Sequence, residues 1–215
     1  MSDSPRQKLL EMLAERSFRL GEFRLSSGGT TDYYIDCRAT TLSAEGARLT
    51  ARVFMDQLFL QQWKPQAIGG MTLGADPIVV AVSMLSAQEM QPRSRRTSHE
   101  EYWVVNGFLV RKGEKSHGTA QRIEGFSQLQ SRVVIVDDVC TTGASTIQAI
   151  EAARAAGMEV MGVLCLVERE EAGGRAHVEA AAAPAKFISI FTANDVRQEH
   201  LKRSQLSSSV VTAEG

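Results

Sequence analysis

One stretch constrains the fold of this chain more than any other: Val133-Val134-Ile135-Val136-Asp137-Asp138-Val139-Cys140-Thr141-Thr142-Gly143-Ala144-Ser145-Thr146. A run of β-branched residues with no polar interruption reads as a strand buried on both faces. It runs into two carboxylates and a short hydroxyl-rich turn, and then into a helix expected over 146–156 and closed by Gly157. A helix start exposes free backbone N–H groups and the positive end of the helix dipole, so it attracts an anion. Thr141, Thr142, Ser145 and Thr146 add hydroxyl donors, and Gly143 lets the backbone approach a ligand. Open α/β sheets take their ligands at the carboxyl ends of the strands, where this turn belongs.

The turn is not a Walker A loop, because no Lys follows the glycine, and it lacks the GxGxxG spacing of dinucleotide sites. Hydroxyls without a lysine suit a terminal phosphate monoester. The carboxylates suit sugar hydroxyls, directly or through a divalent metal such as Mg²⁺, which prefers oxygen ligands. Neighbouring strand residues face opposite ways, so Asp137 and Asp138 need not act as an acid pair, and one of them can serve the loop's own structure.

The rest of the chain agrees with an α/β sheet. A helix is expected over 5–16, with Ser4 as its N-cap, Pro5 in its first turn and Gln7 at capping-box spacing. A polar segment with strand character at Tyr33-Tyr34-Ile35 covers 21–41, and a second helix starts near Ser43 and ends before Pro65. Strands are expected at 67–70, 102–110, 132–136, 160–167 and 186–191, with an apolar helix from Asp76-Pro77 to about Glu89. Residues 137–145 read as a loop, and the Ser-rich tail from Ser204 as frayed. The expected organisation is an N-terminal hood and dimer-contact segment over 1–62, an α/β core over 63–192, and a C-terminal helix with its tail over 193–215.

Composition narrows the function classes. With 24 Lys plus Arg against 25 Asp plus Glu, the net charge of -1 predicts no global attraction to nucleic acid or membrane. The apolar runs are too short for a membrane span, and no apolar signal core follows the N-terminal basic residues. Three widely spaced cysteines (Cys37, Cys140 and Cys165) form neither a disulfide framework nor a zinc site, so a cytoplasmic, reducing location is expected. Cys140 reads as a small buried filler rather than a nucleophile.

A second informative segment is Phe108-Leu109-Val110-Arg111-Lys112-Gly113-Glu114-Lys115-Ser116-His117-Gly118-Thr119. A strand delivers Arg111, Lys112, Lys115 and His117 onto a glycine-punctuated loop, a set of cations suited to a pyrophosphate group. A loop of this kind can close over a reacting centre and exclude water.

The first segment resembles the phosphoribosyl diphosphate (PRPP) signature of the type I phosphoribosyltransferases. The second resembles the Arg-Lys-x-x-Lys-x-His-Gly catalytic loop of the orotate phosphoribosyltransferases within that family. The resemblance extends to Gly21-Glu22-Phe23, Leu25-x-Ser27-Gly28, Tyr33-Tyr34-Ile35-Asp36, Thr72-Leu73-Gly74-Ala75-Asp76-Pro77 and Val167-Glu168-Arg169-Glu170-Glu171, covering about 9–194. It implies the type I fold, a mainly parallel central sheet with helices on both faces and an N-terminal hood, and transfer of ribose 5-phosphate from PRPP to orotate in pyrimidine synthesis. It implies PRPP binding by Arg111, Lys112, Lys115, His117, Asp137, Asp138, Val139, Cys140, Thr141, Thr142, Gly143, Ala144 and Ser145. Lys115, Asp137 and Asp138 are the implied catalytic residues, and Thr141, Arg169 and Tyr34 the implied contacts of orotate. It also implies Mg²⁺ held mainly through substrate oxygens, and a homodimer in which Lys112 reaches the neighbouring active site.

Two departures from the family remove cations: Ser26 and Gly74 stand where many or some members carry lysine. Glu168 replaces the commoner Asp, and the stretch 91–101 is longer than usual and Arg-rich, reading as a solvated loop. Two alternatives stay open on the residues: a phosphoribosyltransferase for another base, and a non-catalytic PRPP-sensing regulator. The intact basic loop and the lack of a helix-turn-helix or basic domain weigh against the regulator.

Overall fold

The computed structural model describes residues 4–24, 29–89, 103–113 and 122–213, with side chains described as far as 206. The chain opens with α1 (Pro5–Met12), whose N-cap Ser4 accepts the Gln7 N–H. Gln7 does not complete the capping box, since its side-chain amide donates to Glu11. The helix continues as a wider π-helical turn over Leu13–Ser17, in which Leu13, Ala14 and Ser17 are all buried. His200 Nδ1 meets the Ala14 carbonyl there at 2.8 Å, so contacts from the far end of the chain anchor this turn.

An antiparallel hairpin follows, β1 (Phe18–Arg24) and β2 (Thr30–Ile35), with a register shift between Leu20 and Phe23. Its side chains alternate as a strand requires. Tyr33 turns inward and stacks on Phe18 at 5.3 Å between ring centroids, while Tyr34 faces outward beside Phe23. A one-turn helix α2 (Arg38–Thr41), which the sequence reading does not anticipate, leads to α3 (Ala44–Leu60), capped as expected by Ser43.

The core then alternates strand and helix: β3 (Ala67–Met71), α4 (Asp76–Glu89), β4 (Asn106–Val110), β5 (Ile123–Gly125), β6 (Arg132–Cys140), α5 (Ala144–Ala155), β7 (Glu159–Glu168), α6 (Gly174–Ala182), β8 (Lys186–Thr192) and α7 (Ala193–Ala213). The sheet order is β5-β4-β3-β6-β7-β8, parallel throughout except for β5, an antiparallel edge strand.

Alternation along the strands builds two cores. Ile68, Val134, Val136, Leu164 and Leu166 face α1, α3, α4 and α7, whereas Ala67, Val133, Ile135, Val163 and Cys165 face α5 and α6. This is why the strands read as continuous apolar runs: both faces are dry. At about 25 cal/mol per Å² of apolar surface removed from water, this double burial is the main stabilising term of the fold.

Four expectations are corrected. Residues 137–140 belong to β6 rather than to a loop, β4 begins at Asn106 rather than Tyr102, residues 123–125 form a strand at the end of what the sequence reads as one long polar stretch over 111–125, and α7 continues past Ser204 to Ala213. The 91–101 segment lies outside the described residues.

Candidate active site

The chain leaves β3 toward β4 on one side of the sheet and leaves β6 toward β7 and β8 on the other. The connections therefore diverge between β3 and β6, which opens a crevice beyond the carboxyl ends of these two strands. A cavity of about 480 Å³ lies there. The turn after β3 (Thr72, Leu73, Gly74), the end of β6 (Asp137, Asp138, Val139) and the turn into α5 (Thr141, Ser145) line it. The N-terminal segment covers it with Tyr34, Ile35, Asp36 and Arg38, and Lys112 enters from the end of β4.

The two carboxylates have separate work, as strand geometry requires. Asp137 is 5% exposed, and its carboxylate accepts from Thr146 Oγ1 at 2.6 Å and from the Asp138 N–H at 3.0 Å. Burial pushes its pKa up to about 7, against the lowering effect of the Thr146 bond and with some help from Asp138. It ties β6 to the first turn of α5. Asp138 is only partly buried and lines the cavity, and one of its oxygens accepts the Val139 N–H at 2.9 Å. Burial also raises its pKa, offset by that N–H and by the nearby positive charge of Arg38.

The turn into α5 has no side-chain cap. Gly143 is the N-cap at φ +80°, and the first helical bond described is Ile147 N–H to the Gly143 carbonyl at 2.9 Å. The preceding N–H groups of the first turn are thus available to an anion beside the Ser145 hydroxyl. Thr146 is corrected as an anion donor, because its hydroxyl serves Asp137.

The glycine at 143 also has a packing reason. A methyl group placed on it would lie 2.5 Å from Val178 Cγ2 of α6. Gly174, which opens α6, packs closer still, since a methyl there would lie 2.1 Å from the Thr141 carbonyl oxygen. The phosphate-type turn therefore rests on the start of α6, an element the sequence reading does not assign. Glu168 fastens the same corner by accepting from both Arg175 Nε and Nη2 and from Ser189 Oγ.

Of the residues expected at the site, Tyr34, Lys112, Asp137, Asp138, Val139, Thr141 and Ser145 come together around one cavity. Lys112 lines the cavity of its own chain. Cys140 is buried in the core and does not line the cavity, and burial lifts its thiol pKa to about 11, which fits a filler rather than a nucleophile. Thr142 and Ala144 are exposed without lining the cavity, and Arg111 pairs with Glu124 at 3.3 Å instead.

Arg169 is also turned away from the cavity. Its Nε donates to Tyr33 Oη at 2.8 Å and Glu171 Oε1 at 3.0 Å, and its guanidinium lies 4.5 Å from the Tyr33 ring centre. Glu171 also accepts from Tyr33 Oη, and burial with this bond pushes the Tyr33 pKa up to about 12. Ser26, Lys115 and His117 lie outside the described residues. The sequence reading does not assign Asp36 and Arg38 to the cavity: Asp36 enters it only as the end of the resembling stretch Tyr33-Tyr34-Ile35-Asp36, and Arg38 only by standing two residues further on.

A switch-point crevice with an uncapped helix start and a carboxylate pair is the arrangement expected of a type I phosphoribosyltransferase, and the family model of the phosphoribosyl transferase domain matches residues 96–185. Among solved structures, Mycobacterium tuberculosis orotate phosphoribosyltransferase in complex with PRPP superposes with a TM-score of 0.67 at 30% identity, covering 90% of this chain and 99% of that one. Among curated proteins, the orotate phosphoribosyltransferase of Thermosynechococcus vestitus is 40% identical over 200 residues, 93% of this chain and 96% of its own. That of Aquifex aeolicus is 36% identical over 182 residues, 83% and 91% of the two chains. The chain belongs to the orotate phosphoribosyltransferase family.

Proposed function

We infer that this chain transfers the 5-phosphoribosyl group of PRPP to orotate, releasing diphosphate and forming orotidine 5'-monophosphate for pyrimidine synthesis. The observation that carries the reading is the crevice between β3 and β6, where Asp138 and the uncapped turn into α5 face Lys112 across one cavity. The turn receives the 5-phosphate on its N–H groups and the Thr141 and Ser145 hydroxyls. Asp138 takes the ribose hydroxyls and favours positive charge on the sugar as the glycosidic bond breaks. Asp137 holds the turn in place through Thr146. Lys112, with Lys115 and His117 from the same loop, neutralises the leaving diphosphate. Tyr34 borders the base, and no covalent nucleophile is required.

Mg²⁺ belongs to this reading. Asp138 is a partly exposed oxygen donor in the cavity, and no group of three or more metal-ligating side chains gathers among the described residues. That donor set fits an ion that draws most of its ligands from substrate and water. When bound, it supplies neutralisation of phosphate charge.

Arg169 carries the orotate carboxylate once it leaves Glu171. A homodimer is part of the proposal, in which Lys112 leaves the cavity that it lines in the single chain and reaches the neighbouring site, as is a cytoplasmic location. Among the described residues, no helix is long and apolar enough to cross a membrane.

The direct test supplies orotate, PRPP and Mg²⁺ at saturation and follows orotidine monophosphate, with adenine and hypoxanthine as competing bases. Absence of product refutes the assignment. Lys115→Ala should lower kcat more than it raises KM. Mixing Lys112→Ala with Asp138→Asn subunits should restore activity only if the sites are shared.

A further inference from the structure

A diphosphate needs a cationic seat, yet three carboxylates line the cavity: Asp36, Asp137 and Asp138. Among the described lining side chains only Lys112 and Arg38 oppose them. Lys112 stands two residues beyond β4, just before the undescribed part of the basic loop. Arg38 is built differently. It opens α2, directly after Cys37, which is fully buried.

Asp36 fixes the guanidinium through two parallel bonds, accepting Nε at 2.8 Å and Nη2 at 2.9 Å, and also accepts the Arg38 backbone N–H at 3.0 Å. A guanidinium has five N–H donors in a rigid plane. Two are spent on Asp36, and the other three make no described hydrogen bond. The fork is held from behind, and the side chain remains 43% exposed. Such a planar, pre-oriented donor set matches phosphate oxygens in pairs.

The position selects the group it meets. A PRPP 5-phosphate on the turn into α5 puts the diphosphate at the opposite end of the ribose, along the wall formed by Thr72, Gly74 and Lys112. Gly74 presents no side chain there, because a methyl group on it would lie 2.2 Å from Asp138 Oδ1. Lys112 is thus the one cation that this wall itself supplies among the described residues, and a second must come from another element.

We propose that Arg38, oriented by Asp36, is the fixed cation that binds the diphosphate of the phosphoribosyl donor. The assignment rests on the reading of this cavity as the PRPP site. Asp36 is a positioning residue for it.

Titration calorimetry with inorganic pyrophosphate and Mg²⁺ is the primary test, run beside steady-state kinetics in both substrates. Arg38→Gln should weaken pyrophosphate binding and raise KM for PRPP by about tenfold, equal to about 1.4 kcal/mol, with KM for orotate changed less than about twofold. Arg38→Lys should recover only part of the affinity, since it restores the charge without the fork. The Asp36→Asn/Arg38→Gln pair leaves no unpaired carboxylate and should show the same tenfold loss, which covers the case in which the single variant folds poorly.

Unchanged pyrophosphate affinity in a folded variant overturns the proposal. So does a rise in orotate KM alone, which would assign Arg38 to the base's carboxylate. Failure of the native chain to turn over orotate while Arg38→Gln still weakens pyrophosphate binding would instead count against the activity.

Discussion

Replacing Asp137 by Asn separates the structural carboxylate of the pair from the one that faces substrate. In the folded chain burial moves the Asp137 pKa from 3.8 to about 7. Between those values the folded state holds a proton that the unfolded state has released, so this group subtracts stability as pH rises. About three pKa units at about 1.4 kcal/mol each set a ceiling of about 4 kcal/mol, reached above about pH 7. Asn cannot ionise and escapes this loss. Its amide oxygen can still accept from Thr146 or the Asp138 N–H, but the NH₂ cannot replace the second acceptor, which costs about 1 kcal/mol at every pH.

The variant should therefore be slightly less stable than the parent below about pH 4, about equal to it near pH 4.5 and more stable by up to about 3 kcal/mol near pH 8. Urea unfolding at half-unit pH intervals measures the difference, and the crossover is the diagnostic feature. Asp32, Asp36, Glu45 and Glu171, whose pKa values lie below their usual ones, contribute the opposite trend and cancel between the two proteins. A pH-independent difference would refute the claim that Asp137 is held partly protonated by its burial.

Three further outcomes follow from the same geometry. Asp138→Asn should lower kcat/KM by roughly 100-fold without lowering the urea midpoint at neutral pH, since burial already disfavours its carboxylate; retained activity would remove Asp138 from the sugar site. Gly174→Ala should raise KM for PRPP by about tenfold, because the added methyl displaces the Thr141 carbonyl and with it the phosphate turn; kinetics matching the parent in a folded variant would show that the turn does not rest on α6. Glu171→Gln should lower KM for orotate by about two- to fivefold, the scale of a partly exposed ion pair, by freeing Arg169; an unchanged or higher KM would show that Glu171 does not compete with the substrate carboxylate.

Local chemistry alone determined a good deal of this protein. The β-branched run 133–136 reads as a strand with two dry faces and the turn after Cys140 as a helix start, and both elements stand in the structure where the sequence puts them. The strand-helix rhythm of 67–191 fixed a mainly parallel sheet for the same reason.

What tertiary structure decided came from partners distant in sequence. Asp137 and Asp138 have poor strand propensity, yet β6 runs through them because β7 pairs Asp137 with Cys165 and Cys140 with Glu168. The three-residue β5 exists only as an edge on β4 and is too short to show a period. Arg169 turns toward Tyr33 and Glu171, which no spacing rule predicts. Arg38 reaches the cavity only because the hairpin and α2 fold over the sheet's carboxyl edge. Sequence periodicity reports which faces of an element are dry. Which side chains meet across a cavity depends on how separate elements pack, and that information is spread over the whole chain.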